Sequence, residues 1–117
     1  MVILAALFIL LFPCFSMAKS VTQTISGAPP AAGTWTSGMA PLRAPGNGFM
    51  NISVYGTTWD ATVFLQRNFQ STGWVDVTSF TSDTQKALID KEGGVQYRIG
   101  VKSGGYTSGS VAVRLSN

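Results

Sequence analysis

The sequence predicts an all-β chain: a small antiparallel β-sandwich of about six to eight strands, jelly-roll or immunoglobulin-like, preceded by an extended N-terminal arm. Three observations carry this. Short runs rich in β-branched and aromatic residues recur at intervals of roughly ten residues. Gly, Asn, Asp and Ser punctuate the runs where turns belong. No stretch of useful length repeats its apolar residues with the period of an amphipathic helix.

Taken in order, the chain divides into a leader (1–18), an arm (19–46) and a β-sandwich domain (47–117). Val2 to Phe12 is continuously apolar, too short for a spanning helix and right for the apolar region of a signal peptide, with Ser16-Met17-Ala18 as a small-x-small cleavage site. No Lys or Arg precedes that run. The other reading places the true start at Met17. Val21 to Ile25 alternates as a short strand or extended arm would. From Ser26 to Gly46, Pro29, Pro30, Pro41 and Pro45 interrupt any ladder and favour extended, partly polyproline-like chain. Trp35, Met39 and Leu42 are apolar enough to dock, either on their own domain or on a neighbouring subunit.

Phe49 to Tyr55 is the next strand, with Ile52 and Val54 on one face. Ala61 to Phe80 is the densest β-forming run, two strands joined by the turn Gln70-Ser71-Thr72-Gly73. Its first arm places Val63, Leu65 and Phe69 inward, with Phe64 against the alternation. Its second arm places Val75 and Val77 inward and Asp76 and Thr78 outward. Gln85 to Ile89 reads as a short strand or one helical turn. Val95 to Val101 alternates most cleanly, and Val111 to Leu115 closes the pattern. About 70 residues are left for the core, a size at which one core is marginal.

Composition removes several kinds of chemistry. The one cysteine, Cys14, lies in the leader, so the remaining chain has no thiolate for a disulfide or a metal. Histidine is absent altogether, which takes away the commonest ligand and general base. The carboxylates Asp60, Asp83, Asp90 and Glu92 fall in turns or at strand ends, where such groups bond their own backbone. The expectation is therefore no catalytic residue, no metal and no cofactor. Eight basic residues against five acidic ones give a net charge of +3, scattered rather than striped, so no nucleic-acid partner is expected. Arg98, Lys102 and Arg114 would form a small basic face if their strands pair. No stable membrane insertion is expected either. Trp59, Trp74 and Tyr106 sit near strand ends or in a loop; as an exposed platform they would stack on sugar rings, and as core they would cap its ends.

One further pattern is more specific. Leu65-Gln66-Arg67 with Phe69, Gly73-Trp74-Val75-Asp76-Val77, Phe80-Thr81, Gly93-Gly94-Val95, Tyr97-Arg98-Ile99-Gly100-Val101, Tyr106-Thr107-Ser108-Gly109 and Val113-Arg114-Leu115-Ser116 resemble, in order and spacing, small virion-associated proteins of tailed phages and prophages. The resemblance covers roughly residues 48 to 117. It implies a non-enzymatic structural subunit, such as a capsid decoration protein, whose partners are its own copies, as trimers on a capsid lattice, and a capsid or tail protein. It also implies location in the virion and a start at Met17. The arm and the exposed sheet edge would then make the assembly contacts, with Trp35, Met39, Leu42, Trp59, Trp74 and Tyr106 as the candidate interaction residues. The alternative is a secreted or surface carbohydrate-binding module using Trp59, Trp74 and Tyr106.

Overall fold

The computed structural model describes residues 19–42 and 47–117; the apolar leader expected at 1–18 lies outside the described residues. The described chain is all-β, with six strands in antiparallel pairing and no helix. The strands are β1 (Ser20–Ile25), β2 (Thr34–Trp35), β3 (Phe49–Phe69), β4 (Trp74–Phe80), β5 (Thr84–Ile89) and β6 (Val95–Ser116).

Two long strands organise the rest. β3 has 21 residues and β6 has 22, and they pair from Asn51↔Ser116 to Phe69↔Val95. Each is flanked twice on its free side. β5 pairs with the first part of β3 and β4 with its last part, while β1 pairs with the end of β6 and β2 with its beginning. The result is two four-stranded halves, β1-β6-β3-β5 and β2-β6-β3-β4, continuous through the two long strands.

The junction between the halves explains why the sequence reads as more, shorter strands. Phe49–Tyr55 and Ala61–Phe69, expected as separate strands, are one strand, and so are Val95–Val101 and Val111–Leu115. Pairing continues across the intervening residues by register shifts at Thr57/Asp60, Asp60/Ala61 and Ala61/Val63. Thr58 at φ 50° and Gly109 at φ 83° take the left-handed backbone that such bulges require. The shift is visible in which residues are buried: Met50, Ile52 and Val54 before it, Ala61, Val63 and Leu65 after it. An inserted residue flips the alternation, and here it keeps both halves facing one core.

That core is shared by both halves. It joins Ile25, Ile52, Val54, Val111, Val113 and Leu115 to Val63, Leu65, Val95, Tyr97, Ile99 and Val101. Phe64 does not break the alternation after all. It lies on the outer face, where the Lys102 ammonium covers its ring at 4.1 Å from the centroid. Gln85–Ile89, left open between strand and helical turn, lies within β5.

Two expectations are corrected. Val75 and Val77 are not buried: they are 66% and 50% exposed. Val75 opposes Arg67, which opposes buried Tyr97, so Val75 has the inward parity the sequence predicts; β4 is an edge and none of the described residues covers it there. The described part of the arm, 19–42, is built into the sheet rather than extended from it. β1 pairs with β6 over its full length, Ile25 and Met39 are core residues, and Met39 and Tyr97 exchange two backbone hydrogen bonds of 2.8 Å. The reason is an open edge: β6 offers a row of unpaired backbone groups that the N-terminal segment satisfies.

Candidate interaction face

The outer surface of the β2-β6-β3-β4 half holds the most specific polar arrangement. Gln66 on β3, Arg98 on β6 and Asp76 on β4 stand in one cross-strand row. Residues opposite one another share a face, so all three point away from the core. The chain of bonds runs across the sheet. Arg98 Nε donates to Gln66 Oε1 at 2.8 Å, Gln66 Nε2 donates to Asp76 Oδ1 at 2.9 Å, and Lys102 Nζ donates to Asp76 Oδ2 at 2.6 Å. Gln66 is buried, with both ends of its amide committed.

Two tryptophans close over this row. The Arg98 guanidinium carbon lies 4.3 Å from the centroid of Trp35 and 4.5 Å from that of Trp74. The indoles reach it from opposite sides, Trp35 from β2 and Trp74 from β4. Trp35 is positioned by its Nε1–H, which donates to the Ala32 carbonyl at 2.8 Å, and by the pairing of its own backbone with Gly100. Gly100 has to be glycine for that pairing to hold: a Cβ there would overlap the Thr34 carbonyl. Desolvation under the rings lowers the Arg98 pKa, the direction expected for a cation taken from water. Asp76 moves down as well, chiefly through the Lys102 hydrogen bond and then that of Gln66.

The other predicted residues lie elsewhere. Met39 is core, and Leu42 forms a backbone bridge with Phe49. Trp59 and Tyr106 sit at the junction of the halves, packed against the core. Trp59 Nε1 donates to Asp83 Oδ1 at 2.8 Å and the Tyr106 hydroxyl donates to the Gly109 carbonyl at 2.8 Å. Trp74 is opposite Asn68, whereas Tyr106 is opposite Ala61. Seven residues of β3 separate the two positions, about 23 Å of strand. Trp59, Trp74 and Tyr106 therefore do not form one platform. Of the six candidates, the structure brings together Trp35 and Trp74.

Gln66 and Asp76 were given no role in a site by sequence, and Arg98 only as part of a basic face; Arg98 and Lys102 do share a face as expected. Arg114 does not join them; it opposes Ser53 in the other half. The signal that would have found the site is weak. It consists of two tryptophans far apart in sequence and one outward arginine in the cleanest strand, and only the pairing of β2, β6, β3 and β4 connects them.

A second cluster lies on the core side at the turn end of the sheet. Asp90 Oδ2 accepts from Arg67 Nε at 2.8 Å and from the Tyr97 hydroxyl at 2.6 Å, and Glu92 Oε1 accepts from Arg67 at 3.3 Å. The Arg67 hydrogen bond is the main cause that holds the Asp90 carboxyl down at about 2; burial opposes it, and Tyr97 and the Glu92 amide assist. Burial, then the Asp90 bond, pushes the Tyr97 phenol up to about 12. Every group here has an internal partner, which is the signature of a structural network. Among the described residues no group of three or more His, Cys, Asp or Glu side chains is placed to hold a metal. No helix among them is long and apolar enough to cross a membrane.

No family model matches the chain, and no curated protein matches it in sequence. Among solved structures, the SPBc2 prophage-derived protein YomS is similar with a TM-score of 0.54 and 10% identity, over 87% of this chain and 95% of that one. The Yersinia pseudotuberculosis-derived mitogen is similar with a TM-score of 0.45 and 18% identity, over 87% of this chain and 85% of that one. At such identities the likeness to the prophage protein speaks for a common fold.

Proposed function

We propose that this chain is a non-enzymatic β-sandwich subunit of a phage virion, a decoration or other head- or tail-associated protein held in place by its own copies and by a capsid or tail protein. The observation that carries the assembly part is the β4 edge. Val75 and Val77 stand exposed beside Arg67 and Phe69, along an open groove of about 310 Å³ at a strand with unpaired backbone groups. An edge of this kind is a template for a further strand or a neighbouring sheet, and isolated small domains cover or charge it. The phage part is supported by the sequence resemblance and by the fold shared with a prophage-derived protein. The division of Trp59 and Tyr106, at the junction of the halves, from Trp74, near the turn end, gives the carbohydrate-binding alternative no shared face.

The structure changes how assembly is tested. Deleting 19–45 would remove two strands and two core residues, so loss of assembly would mean only loss of folding. The discriminating variant is the double substitution Val75→Lys and Val77→Lys, which charges the edge and leaves the core intact. Native mass measurement should show an oligomer for the parent chain and a folded monomer for the variant. Mass spectrometry of purified particles, from a host whose genome carries the gene, should find the protein in them; particles that lack it would end the proposal.

A further inference from the structure

Arg98 is held by three side chains and yet pairs with no carboxylate among the described residues. Its guanidinium packs against the rings of both Trp35 and Trp74, and Nε is committed to Gln66. Nη1 and Nη2 donate to no described residue. Every buried side-chain nitrogen and oxygen among the described residues has a partner, so these two atoms reach solvent. The carboxylate of the same row, Asp76, is spent on Lys102 and Gln66. Arg98 and Lys102 against Asp76 therefore leave this face with one positive charge in excess.

A guanidinium packed against two indoles, with Nε committed and both Nη atoms reaching solvent, is suited to bind a planar oxyanion through two parallel N–H···O bonds. The indoles fix the plane in advance, which removes most of the ordering cost of such a bond. The shape of the surroundings selects the source of the anion. Arg98 stands on the outer face of a sheet, and small ligands are bound in concavities. Broad faces with a central Arg and Trp anchor are instead where protein partners concentrate their binding energy.

We propose that the outer face of β6, centred on Arg98 between Trp35 and Trp74, docks a protein that presents an aspartate or glutamate carboxylate to the Arg98 Nη edge. The proposal rests on the virion-subunit reading only for the partner being a protein. Whether the chain is present in particles is decided separately by mass spectrometry, so the two can fail independently.

The test is a titration of the isotope-labelled full chain at constant ionic strength. Blocked glutamate (N-acetyl, N-methylamide), blocked glutamine and glucuronic acid are compared by following the Arg98 Nε–H resonance and tryptophan fluorescence. Blocked glutamate should shift the Arg98 resonance saturably, and blocked glutamine should not. Arg98→Lys, which keeps the charge and removes the fork, should weaken the tryptophan response at least tenfold. Arg114→Gln, which removes an exposed cation from the other half of the sheet, should keep the affinity within about threefold of the parent. Should Arg98→Lys fail to fold, the glutamate and glutamine arms on the parent chain still decide. No saturable shift with blocked glutamate, an equal shift with blocked glutamine, or unweakened binding to a folded Arg98→Lys variant overturns the proposal. Glucuronic acid binding tenfold tighter than blocked glutamate also overturns it, in favour of an acidic sugar. A dimer that the Arg98→Lys substitution dissociates would identify the partner as a second copy.

Discussion

Asp90 shows how much one carboxylate can organise in a domain with no disulfide. It ties Arg67 on β3 to Tyr97 on β6 from a loop that follows β5, and its side chain is only 13% exposed. The consequence for pH follows from the direction of each shift. The folded Asp90 carboxyl, at about 2, lies below its ordinary 3.8, so the stability it contributes is complete above that value and is lost as pH falls towards 2. Asp76, lowered by Lys102, adds to the same limb. Tyr97 acts at the other end: raised to about 12, it contributes stability below pH 10 that disappears as pH rises through 12. Denaturant midpoints measured against pH should therefore fall on both sides. Asp90→Asn should flatten much of the acid limb, and Tyr97→Phe should remove the alkaline one. At Trp74 the expectation is energetic. Alanine removes a cation–π contact and half the cover of Arg98, at a cost of about 2 kcal/mol by chemical denaturation with the fold retained.

The β3–β4 turn stores local strain. Thr72 N–H donates to the Phe69 carbonyl at 3.1 Å, and the two central residues, Gln70 and Ser71, have φ of 50° and 59°. Two positive φ values in this position make a type I′ turn, whose twist matches a hairpin and whose usual residues are Asn and Gly. Glutamine and serine adopt that backbone at a cost. Replacing them together, Gln70→Asn and Ser71→Gly, should stabilise the chain by about 1 kcal/mol, read as a higher denaturant midpoint with unchanged slope. β2 offers the opposite case. Because a Cβ at position 100 would overlap the Thr34 carbonyl, Gly100→Ala should displace β2 and with it Trp35. The expected readout is a change in tryptophan fluorescence and loss of the Arg98 Nε–H shift caused by stacking; an unchanged spectrum would mean that Trp35 is held by Ala32 alone.

The whole molecule is two long strands whose neighbours change halfway along. Because β3 and β6 run through both halves, the halves cannot separate without breaking the central pair, and one core serves both. The N-terminal segment belongs to that unit: without 19–42, β6 would lose its partners on one side along both of its paired stretches. A chain lacking these residues should lose cooperative unfolding, seen as a broad thermal transition by circular dichroism. What remains open at this scale is the β4 edge, where none of the described residues covers Val75. In the proposed virion role that edge and the Arg98 face are separate surfaces, one apolar at a strand edge and one polar on a sheet face. A subunit placed between two kinds of neighbour would use both.

The local pattern in the sequence determined the fold class, the hairpin Ala61–Phe80, its turn, the core face of Val95–Val101, and the absence of histidine and of a cysteine outside the leader. Each of these is a matter of neighbouring residues: period-two alternation, turn chemistry, composition. The tertiary structure alone decided that the seven expected pieces form five strands with Thr34–Trp35 as a sixth, that 19–42 is part of the sheet, that Val75 and Val77 stay exposed, and that Trp35 and Trp74 meet over Arg98. These depend on which strand pairs with which, and pairing is a long-range choice that alternation leaves undetermined. Parity says which side of a strand a residue occupies. Only the neighbour across the sheet says whether that side is covered, and by what.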